Sequence, residues 1–206
     1  MKKVNVILST YNGERYLREQ LESIIAQTYD NITIWIRDDG SSDHTVEIVK
    51  EYCQLNLPGK RFCLIEDNLG NLGHVKSFFQ VVFNADPADF YAFCDQDDVW
   101  LPEKIQRAVD FLDSVDSNQC ALYASGYDVC DANLNYIGEC RKPRPFSQLN
   151  LGRAFYNYGA GLGQGFTLAF NHKMKEVAFQ PEHNDIRGQD VWLWAVVTGL
   201  QGVYYY

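Results

Sequence analysis

The sequence has no excess of positive charge. Its 18 lysine and arginine residues are outnumbered by 27 aspartate and glutamate residues, and the formal net charge is −9. Broad binding to nucleic acid needs a basic surface that neutralises phosphates, so the composition argues against a nucleic-acid partner. An acidic protein still binds a phosphorylated small molecule where a metal cation or a local basic residue meets the phosphates.

Paired cysteines and long apolar runs are also missing. The six cysteines include no Cys-x-x-Cys pair, which argues against a zinc site of the usual spacing. No segment approaches the ~18 apolar residues of a transmembrane helix. The first residues have only a short apolar stretch before Ser9, unlike a secretory signal. We therefore expect a cytoplasmic protein whose thiols stay reduced.

The residues that are present predict one α/β domain over 1–206. Apolar residues make up 46% of the chain, which is enough to build a core. Short apolar runs alternate with segments of helical period, and this order predicts a mostly parallel sheet flanked by helices. The predicted strands are 4–8, 32–36, 62–65, 90–94, 121–129 and 165–170, with strand-like residues also at 202–206. The predicted helices include 13–27, 46–49, 75–83, one that opens at Pro102, and 190–197.

Polar clusters follow the first four predicted strands, at 9–12, 38–41, 68–73 and 95–98. Ligands of open parallel sheets bind outside the carboxyl ends of the strands. The four clusters are therefore expected to meet at one edge of the sheet and to form a binding site there.

Asp95 and Asp97 are the strongest candidates for a metal site. Residues two apart in extended chain point to the same side, and two close carboxylates repel unless a cation lies beside them. Mg²⁺ or Mn²⁺ accepts one or two carboxylates together with substrate phosphates. The alternative is a solvated acidic loop in which Asp98 caps the next helix.

Three further residues each have a functional and a structural interpretation. In the turn at 38–43, a serine or aspartate caps the following helix and Gly40 makes the bend, or a carboxylate accepts a hydrogen bond from a nucleobase. Both can hold for different residues, and we expect Ser42 to cap and Asp39 to meet the ligand. Lys76, one turn into a predicted helix, is either an exposed lysine or a diphosphate ligand. Asp190, at the start of the last helix, either complements the helix dipole or acts as a general base. His74 receives no role.

In this order the motifs resemble the family 2 glycosyltransferases, whose domain has the GT-A fold, and the resemblance spans nearly the whole chain. It is carried by segment 8–13, the Asp-Asp-Gly-Ser turn at 38–41, an Asn-x-Gly-x-x-Lys-Ser segment at 71–77, the Asp-x-Asp motif at 95–97, and residues 165–167 and 189–190. At position 77 the family has asparagine, so an amide contact there is not expected.

The resemblance implies a role for each matching residue. It implies that Asp190 is the catalytic base of an inverting displacement and that Asp97 binds Mg²⁺ or Mn²⁺. The implied nucleotide-sugar ligands are Ser9, Thr10, Tyr11, Asn12, Asp38, Asp39, Lys76, Asp95 and Gln96. The implied acceptor-side residues are Gly165, Thr167, Gln189 and Trp192. Residues 1–100 would then bind the nucleotide sugar, and 101–206 would bind the acceptor in a domain shortened at its carboxyl end.

The run Asp-Gln-Asp-Asp-Val-Trp at 95–100 is similar to a narrower group, the bacterial rhamnosyltransferases of surface polysaccharide synthesis. This resemblance implies a dTDP- or UDP-linked donor, with dTDP-rhamnose as the first expectation. It also implies a saccharide or lipid-linked acceptor of capsule or cell wall, and hence a place at the inner face of the cell membrane. The basic residues at 141–144 suit anionic lipid or a solvated loop. A homo-oligomer is left open.

Three rival classes are weighed against this hypothesis. A dinucleotide-dependent oxidoreductase needs Gly-x-Gly-x-x-Gly after the first strand, and segment 9–13 lacks it. A nucleotidyltransferase would carry a glycine-rich basic loop there, which is also missing. A non-catalytic carbohydrate-binding module explains the 14% aromatic content but leaves the acidic clusters at the strand ends without a purpose.

Overall fold

A mixed sheet organises the described part of the chain, which in this computed structural model comprises residues 1–138, 164–181, 186 and 188–205. Within these residues the sheet has seven strands in the order β3-β2-β1-β4-β6-β5-β7. The strands are β1 Val4–Thr10, β2 Ile32–Asp38, β3 Lys60–Ile65, β4 Phe90–Cys94, β5 Ala121–Ala124, β6 Leu168–Asn171 and β7 Val203–Tyr205. The helices are α1 Leu17–Ile25, α2 Thr45–Cys53, α3 His74–Asn84, α4 Lys104–Leu112, α5 His172–Ala178 and α6 Gln189–Gly199.

The first four strands form a parallel half-sheet with β1 at its centre. β1 pairs in parallel with β2 and β4, and β2 pairs in parallel with β3. β6 runs antiparallel to β4 and β5, while β7 is parallel to β5. The register places Thr10 opposite Asp38 and Leu8 opposite Cys94. The residues that follow β1, β2 and β4 are thereby brought to one edge, and the predicted mostly parallel α/β sheet is confirmed.

Apolar layers cover both faces of the sheet, because successive side chains of a strand point to opposite sides. In β1 the fully buried Leu8 belongs to a layer packed by α1, α2 and α4, whereas Ile7 belongs to a layer packed by α3, α5 and α6. Phe93 of β4 joins the second layer and makes an edge-to-face contact with Phe78 of α3, with ring centroids 5.4 Å apart.

Several predicted boundaries were wrong. The strand predicted over 121–129 ends at Ala124, and an isolated bridge between Cys130 and Tyr136 follows. The segment predicted as one strand over 165–170 begins with a 3₁₀ turn, Gly165–Thr167, before β6. The polar loop predicted at 138–153 lies almost wholly outside the described residues, as do the basic residues at 141–144.

Ser42 does not cap α2, contrary to expectation. The helix begins at Thr45, whose backbone N–H donates to Asp43 Oδ1 at 3.0 Å. The backbone N–H of Ser42 instead donates to Asn12 Oδ1 at 2.8 Å. Local spacing suggested the cap, but a contact between two loops 30 residues apart determines the geometry.

Candidate active site

Gln96 joins the loop after β1 to the loop after β4. Its Oε1 accepts from the backbone N–H of Tyr11 at 2.9 Å, and its Nε2 donates to the Tyr11 carbonyl at 3.1 Å. A Cβ at Gly13 would lie 2.4 Å from Gln96 Oε1, so a larger residue there would displace the Gln96 side chain from its contact with Tyr11. Gln96, predicted as a ligand of the nucleotide sugar, therefore also shapes the loop at 9–13.

Asp38 closes the turn after β2 and ties it to β1. Its Oδ1 accepts from Thr10 Oγ1 at 2.9 Å and from Ser41 Oγ at 2.5 Å, and its Oδ2 accepts from Ser41 N at 2.8 Å. Asn12 completes the link, because its backbone N–H donates to Ser41 Oγ at 2.8 Å. The first two predicted clusters thus form one hydrogen-bonded unit, while Tyr11 stays half-exposed at 50%.

Arg37 lies beneath this unit. Sequence analysis missed it because it is the penultimate residue of β2 and belongs to none of the polar clusters that follow the strands. It is 1% exposed and forms ion pairs with Asp39 and with Asp67, the latter at 2.7 Å. It also donates to Ser77 Oγ at 3.0 Å and to the Gly70 carbonyl at 2.7 Å. A buried arginine needs such partners to offset its desolvation, and here they come from three different segments.

Asp39 faces the protein interior and is 3% exposed. Besides Arg37, its carboxylate accepts from the backbone N–H groups of Leu72 at 2.8 Å and Gly73 at 2.9 Å. Both of its oxygens therefore already have donors. Its contact with a nucleobase stays a prediction, and its evident structural task is to fix the loop that leads into α3.

Two further predicted donor ligands lie on β1 and α3. Ser9 Oγ donates to Ser77 Oγ at 2.6 Å, so the serine found where the family has asparagine joins the Arg37 network. Lys76 is exposed on the first turn of α3. Within the described ranges it has no hydrogen bond or ion pair, which leaves its ammonium group available to an anionic ligand.

The residues after β4 form an acidic cluster. Burial raises the pKa of Asp95 to about 6, and the charges of Asp97 and Asp190 add to the rise. Burial raises the pKa of Asp98 to about 7, helped by Asp95 and Asp97, while Lys104 acts in the opposite direction. Asp97 itself is exposed. Carboxylates this close disfavour one another's ionised form, so the cluster favours a cation.

A cleft of about 260 Å³ lies beside this cluster. Polar residues from the ends of β4, α3 and α6 line it together with apolar and glycine residues: His74, Val75, Asp95, Gln164, Gly165, Phe166, Gly188, Gln189 and Asp190. Asp190 lies in the first turn of α6, and its Oδ1 accepts from the backbone N–H of Val191 at 2.8 Å. The structure thus brings Asp95 and Asp190 together, although 95 positions separate them in the chain.

The four residues predicted on the acceptor side divide into two pairs. Gly165 and Gln189 line the cleft. Thr167 is 2% exposed, and its hydroxyl donates to the Gln164 carbonyl at 2.7 Å. Trp192 packs against the second apolar layer, and its Nε1 donates to the Ala178 carbonyl at 2.7 Å. Thr167 and Trp192 therefore support the walls of the cleft and do not line it.

The chemistry of the acidic cluster fits a divalent cation that shares its coordination with a substrate. Among the described residues no group of three or more His, Cys, Asp or Glu side chains is arranged to hold a metal. Mg²⁺, however, is commonly bound through one or two carboxylates plus substrate phosphates. The Oδ2 atom of Asp98 is buried without a hydrogen-bond partner in the described structure, and a nearby cation would stabilise it.

Residues 5–170 match the protein family described as glycosyl transferase family 2, and the chain belongs to that family. These residues therefore form a glycosyltransferase domain of this family. In the described ranges no helix is both long and apolar enough to cross a bilayer.

Curated relatives share parts of the chain. It is 39% identical over 127 residues to the dTDP-rhamnosyl transferase RfbG of Shigella flexneri, a match that covers 58% of this chain and 43% of RfbG. It is 38% identical over 114 residues to an uncharacterized glycosyltransferase of Nostoc sp., covering 55% of this chain and 34% of that protein. The matches therefore span less than half the length of these relatives.

Solved structures confirm the GT-A fold. Residues 1–349 of TarS from S. aureus, in complex with UDP-GlcNAc, superpose with a TM-score of 0.65 at 20% identity, covering 99% of this chain and 57% of that one. The mannosyltransferase PcManGT from Pyrobaculum calidifontis, in complex with GDP-Man and Mn²⁺, gives a TM-score of 0.66 at 18% identity, covering 98% of this chain and 54% of that one.

Proposed function

We propose that this chain is the catalytic domain of an inverting, metal-dependent glycosyltransferase that moves rhamnose from dTDP-rhamnose onto a saccharide or lipid-linked saccharide. The observation that carries the proposal is the cleft in which Asp95 and Asp190 lie together, beside the hydrogen-bonded loops that follow β1 and β2. The product would be a bacterial cell-surface polysaccharide such as capsule or cell-wall glycan.

The donor would bind at the carboxyl edge of the parallel strands. The nucleoside would lie against the loops that hold Tyr11, Asn12 and Asp38, and the exposed ammonium group of Lys76 would meet the diphosphate. The free backbone N–H groups at the start of α3 would add to this binding, because helix N-termini favour phosphate. Asp97 is the proposed ligand of Mg²⁺ or Mn²⁺, with Asp95 and Gln96 facing the sugar.

Asp190 would act as the general base. It would remove the proton from an acceptor hydroxyl as that oxygen attacks the anomeric carbon from the face opposite the diphosphate, which inverts the configuration. A bound divalent cation would neutralise charge that develops on the departing diphosphate. Water would have to be excluded, because it competes as an acceptor, and the apolar side chains of Val75 and Phe166 in the cleft wall suit that task.

Rhamnose is the proposed sugar because two features agree. One is the similarity to the dTDP-rhamnosyl transferase RfbG, and the other is the run Asp-Gln-Asp-Asp-Val-Trp at 95–100. Gly165 and Gln189 would contact the acceptor, while Thr167 and Trp192 would act through the walls that they support. A lipid-linked acceptor would place the protein in the cytoplasm, at the inner face of the cell membrane. The proposal does not depend on whether the chain forms a homo-oligomer.

Calorimetric binding tests the donor site. We expect dTDP and dTDP-rhamnose to bind in the presence of Mn²⁺ or Mg²⁺, and both to lose most of their affinity when the metal is removed or when Asp97→Ala is introduced. Asp113→Ala is the matched control, because Asp113 pairs with Lys2 at the amino edge of the sheet. UDP and UDP-GlcNAc are measured in parallel, and the ligand with the highest affinity identifies the nucleotide of the donor.

The rival classes predict different results. A folded protein that binds none of these nucleotides would contradict the proposal and favour a carbohydrate-binding module. A nucleotidyltransferase would bind a nucleoside triphosphate and release pyrophosphate from it in the presence of a sugar phosphate. Metal-independent binding that Asp97→Ala leaves unchanged would rule out the proposed metal ligand.

A further inference from the structure

His74 and Gln189 meet across the cleft, although 115 positions separate them in the chain. His74 is the first residue of α3 and Gln189 is the first residue of α6. The Nε2 atoms of the two side chains lie 3.0 Å apart. Gln189 is 4% exposed, whereas His74 keeps a solvent-exposed face and lines the cleft with Asp95 and Asp190.

The placement of the Gln189 amide favours one tautomer of His74. With the amide nitrogen of Gln189 towards the ring, as the structure has it, that nitrogen donates, the imidazole Nε2 accepts and the ring proton lies on Nδ1. Desolvation lowers the pKa of His74 more than the charges of Asp190 and Asp39 raise it, which favours the neutral imidazole. Within the described ranges Nδ1 has no hydrogen-bond partner.

We propose that His74 Nδ1–H donates a hydrogen bond to a hydroxyl oxygen of the sugar ring bound in this cleft, and that Gln189 holds the imidazole in the required tautomer and orientation. The inference rests on the proposed function, and it adds a sugar-binding residue to the site.

A sugar hydroxyl suits this position better than a phosphate does. Asp95 and Asp190 give the cleft negative charge, which repels an anionic group and offers acceptors to hydroxyl protons. A hydroxyl both donates and accepts, so it can satisfy a carboxylate and the His74 N–H together. The cleft volume of about 260 Å³ is below the roughly 300–1,000 Å³ of pockets that enclose drug-sized ligands, which suits one sugar ring.

The rest of the cleft wall agrees with this assignment. Val75 and Phe166 supply apolar surface, which suits the C–H faces of a sugar ring. Gly165 leaves space beside the Gln189 amide, since a Cβ there would lie 3.3 Å from Gln189 Nε2. The His74 ring also makes an edge-to-face contact with Phe78, with ring centroids 4.8 Å apart, and this contact limits rotation of the imidazole.

Two substitutions distinguish the roles of the two ring nitrogens of His74. The amide nitrogen of His74→Asn falls near the place of Nδ1, so this variant keeps a donor towards the cleft and loses the contact with Gln189. The amide of His74→Gln reaches the place of Nε2, so it keeps the contact with Gln189 and loses the donor. His172→Gln is the matched control, because His172 contacts Tyr91 and Ala88 at the amino end of β4.

The measurement is calorimetric affinity for dTDP and dTDP-rhamnose with Mn²⁺, with UDP-GlcNAc and GDP-mannose as further donors. We expect His74→Gln to weaken dTDP-rhamnose about tenfold while dTDP changes less than about twofold, the scale of one lost neutral hydrogen bond. His74→Asn should restore most of that loss. In ¹⁵N-resolved spectra His74 should carry its proton on Nδ1, and Gln189→Met should change that population.

The alternative outcomes are distinct. Equal losses for dTDP and dTDP-rhamnose, or a larger loss in His74→Asn than in His74→Gln, would overturn the inference, because His74 would then act only through the fold or through Gln189. A wild-type protein that binds dTDP and dTDP-rhamnose equally would also overturn it while the nucleotide site stands. A wild-type protein that binds no nucleotide would instead remove the proposed function itself.

Discussion

Two charge arrangements dominate the site at the scale of single residues. Asp95 and Asp190 share a cleft in which burial, with the charges of Asp97 and Asp190, raises the pKa of Asp95. Arg37 shares a neighbouring interior with Asp39 and Asp67, where opposite charges compensate. The first arrangement costs free energy when no ligand is bound, which is common at functional sites. The second is compensated within the chain and serves to fix loops.

Replacing Asp190 with asparagine tests the proposed base. We expect the release of dTDP from dTDP-rhamnose in the presence of acceptor to slow by about 10²–10⁴-fold, because an amide cannot take the proton of the attacking hydroxyl. Affinity for dTDP should stay within about threefold of wild type. Asp110→Asn, an exposed change on α4, is the control. A rate near that of wild type would assign the base to another residue.

Replacing Arg37 with methionine tests the buried ion pairs. The substitution leaves two carboxylates without their cation, so we expect the free energy of unfolding in urea to fall by about 3–5 kcal/mol. Affinity for dTDP should fall as well, because the loop at 66–73 loses the group that holds it.

Arg18→Met gives the contrast to Arg37→Met. Arg18 pairs with Glu51 at 2.7 Å, but the two side chains are 53% and 59% exposed, and an exposed pair contributes less than about 1 kcal/mol. Equal losses in the two variants would mean that the Arg37 network contributes no more than a surface pair.

At the scale of elements, the helices that cover the half-sheet are joined through side chains as well as through the core. Tyr52 at the end of α2 donates to Glu22 Oε1 of α1 at 2.6 Å. Gln27, just after α1, accepts from Ile105 N of α4 at 3.0 Å. These contacts hold α1 between α2 and α4 and so keep the loop at 9–13 in place, because that loop leads directly into α1.

Tyr52→Phe removes one of these links. It should also make the free energy of unfolding vary less with pH in the alkaline range. Burial raises the pKa of Tyr52 to about 12, and the hydrogen bond to Glu22 adds to the rise. Since the folded pKa exceeds the ordinary value near 10, this contribution is complete below pH 10 and is lost as the pH rises towards 12.

We therefore expect the free energy of unfolding, measured in urea from pH 9 to 12, to fall less steeply in Tyr52→Phe than in wild type. At pH 7 the variant should be less stable by about 1–2 kcal/mol. Glu22→Gln should show a similar loss at pH 7, and the double variant should lose little more than either single one. Additive losses would show that the two side chains do not act as a pair.

At the scale of the whole described structure, one sheet separates two apolar layers, and its strands contribute to both. β1 and β4 supply alternate residues to each layer. The residues proposed to bind the nucleotide and those proposed to bind the acceptor therefore depend on the same central strands. Such shared strands favour unfolding as one cooperative unit.

The neighbouring residues Ile7 and Leu8 test this cooperativity, because both are fully buried but belong to different layers. We expect one thermal transition with the same midpoint by tryptophan fluorescence and by circular dichroism. Ile7→Ala and Leu8→Ala should each lower that single midpoint, at a cost of about 2–5 kcal/mol. Two separate transitions, each lowered by only one substitution, would show that the two layers unfold independently.

Much of the half-sheet and its edge was predictable from the sequence. Asp38, Asp95 and Gln96 directly end or follow apolar runs, and the carboxyl ends of parallel strands meet. The segment Phe90–Cys94 matched its predicted strand because its five residues are all buried, which produces an uninterrupted apolar run. The start of α2 was mispredicted because a contact with Asn12 sets the turn before it, and the end of β5 because Ala124 pairs with Leu168, where β6 begins.

The sequence by itself determined the alternation of strands and helices, the acidic cluster after β4 and the membership of a glycosyltransferase family, since these follow from local periodicity and motif order. Only the tertiary structure decided that Arg37 compensates Asp39, that Trp192 supports the cleft from behind, and that His74 meets Gln189. These contacts join residues from 2 to 115 positions apart. Their geometry depends on how helices pack on a twisted sheet, and no local pattern encodes that packing.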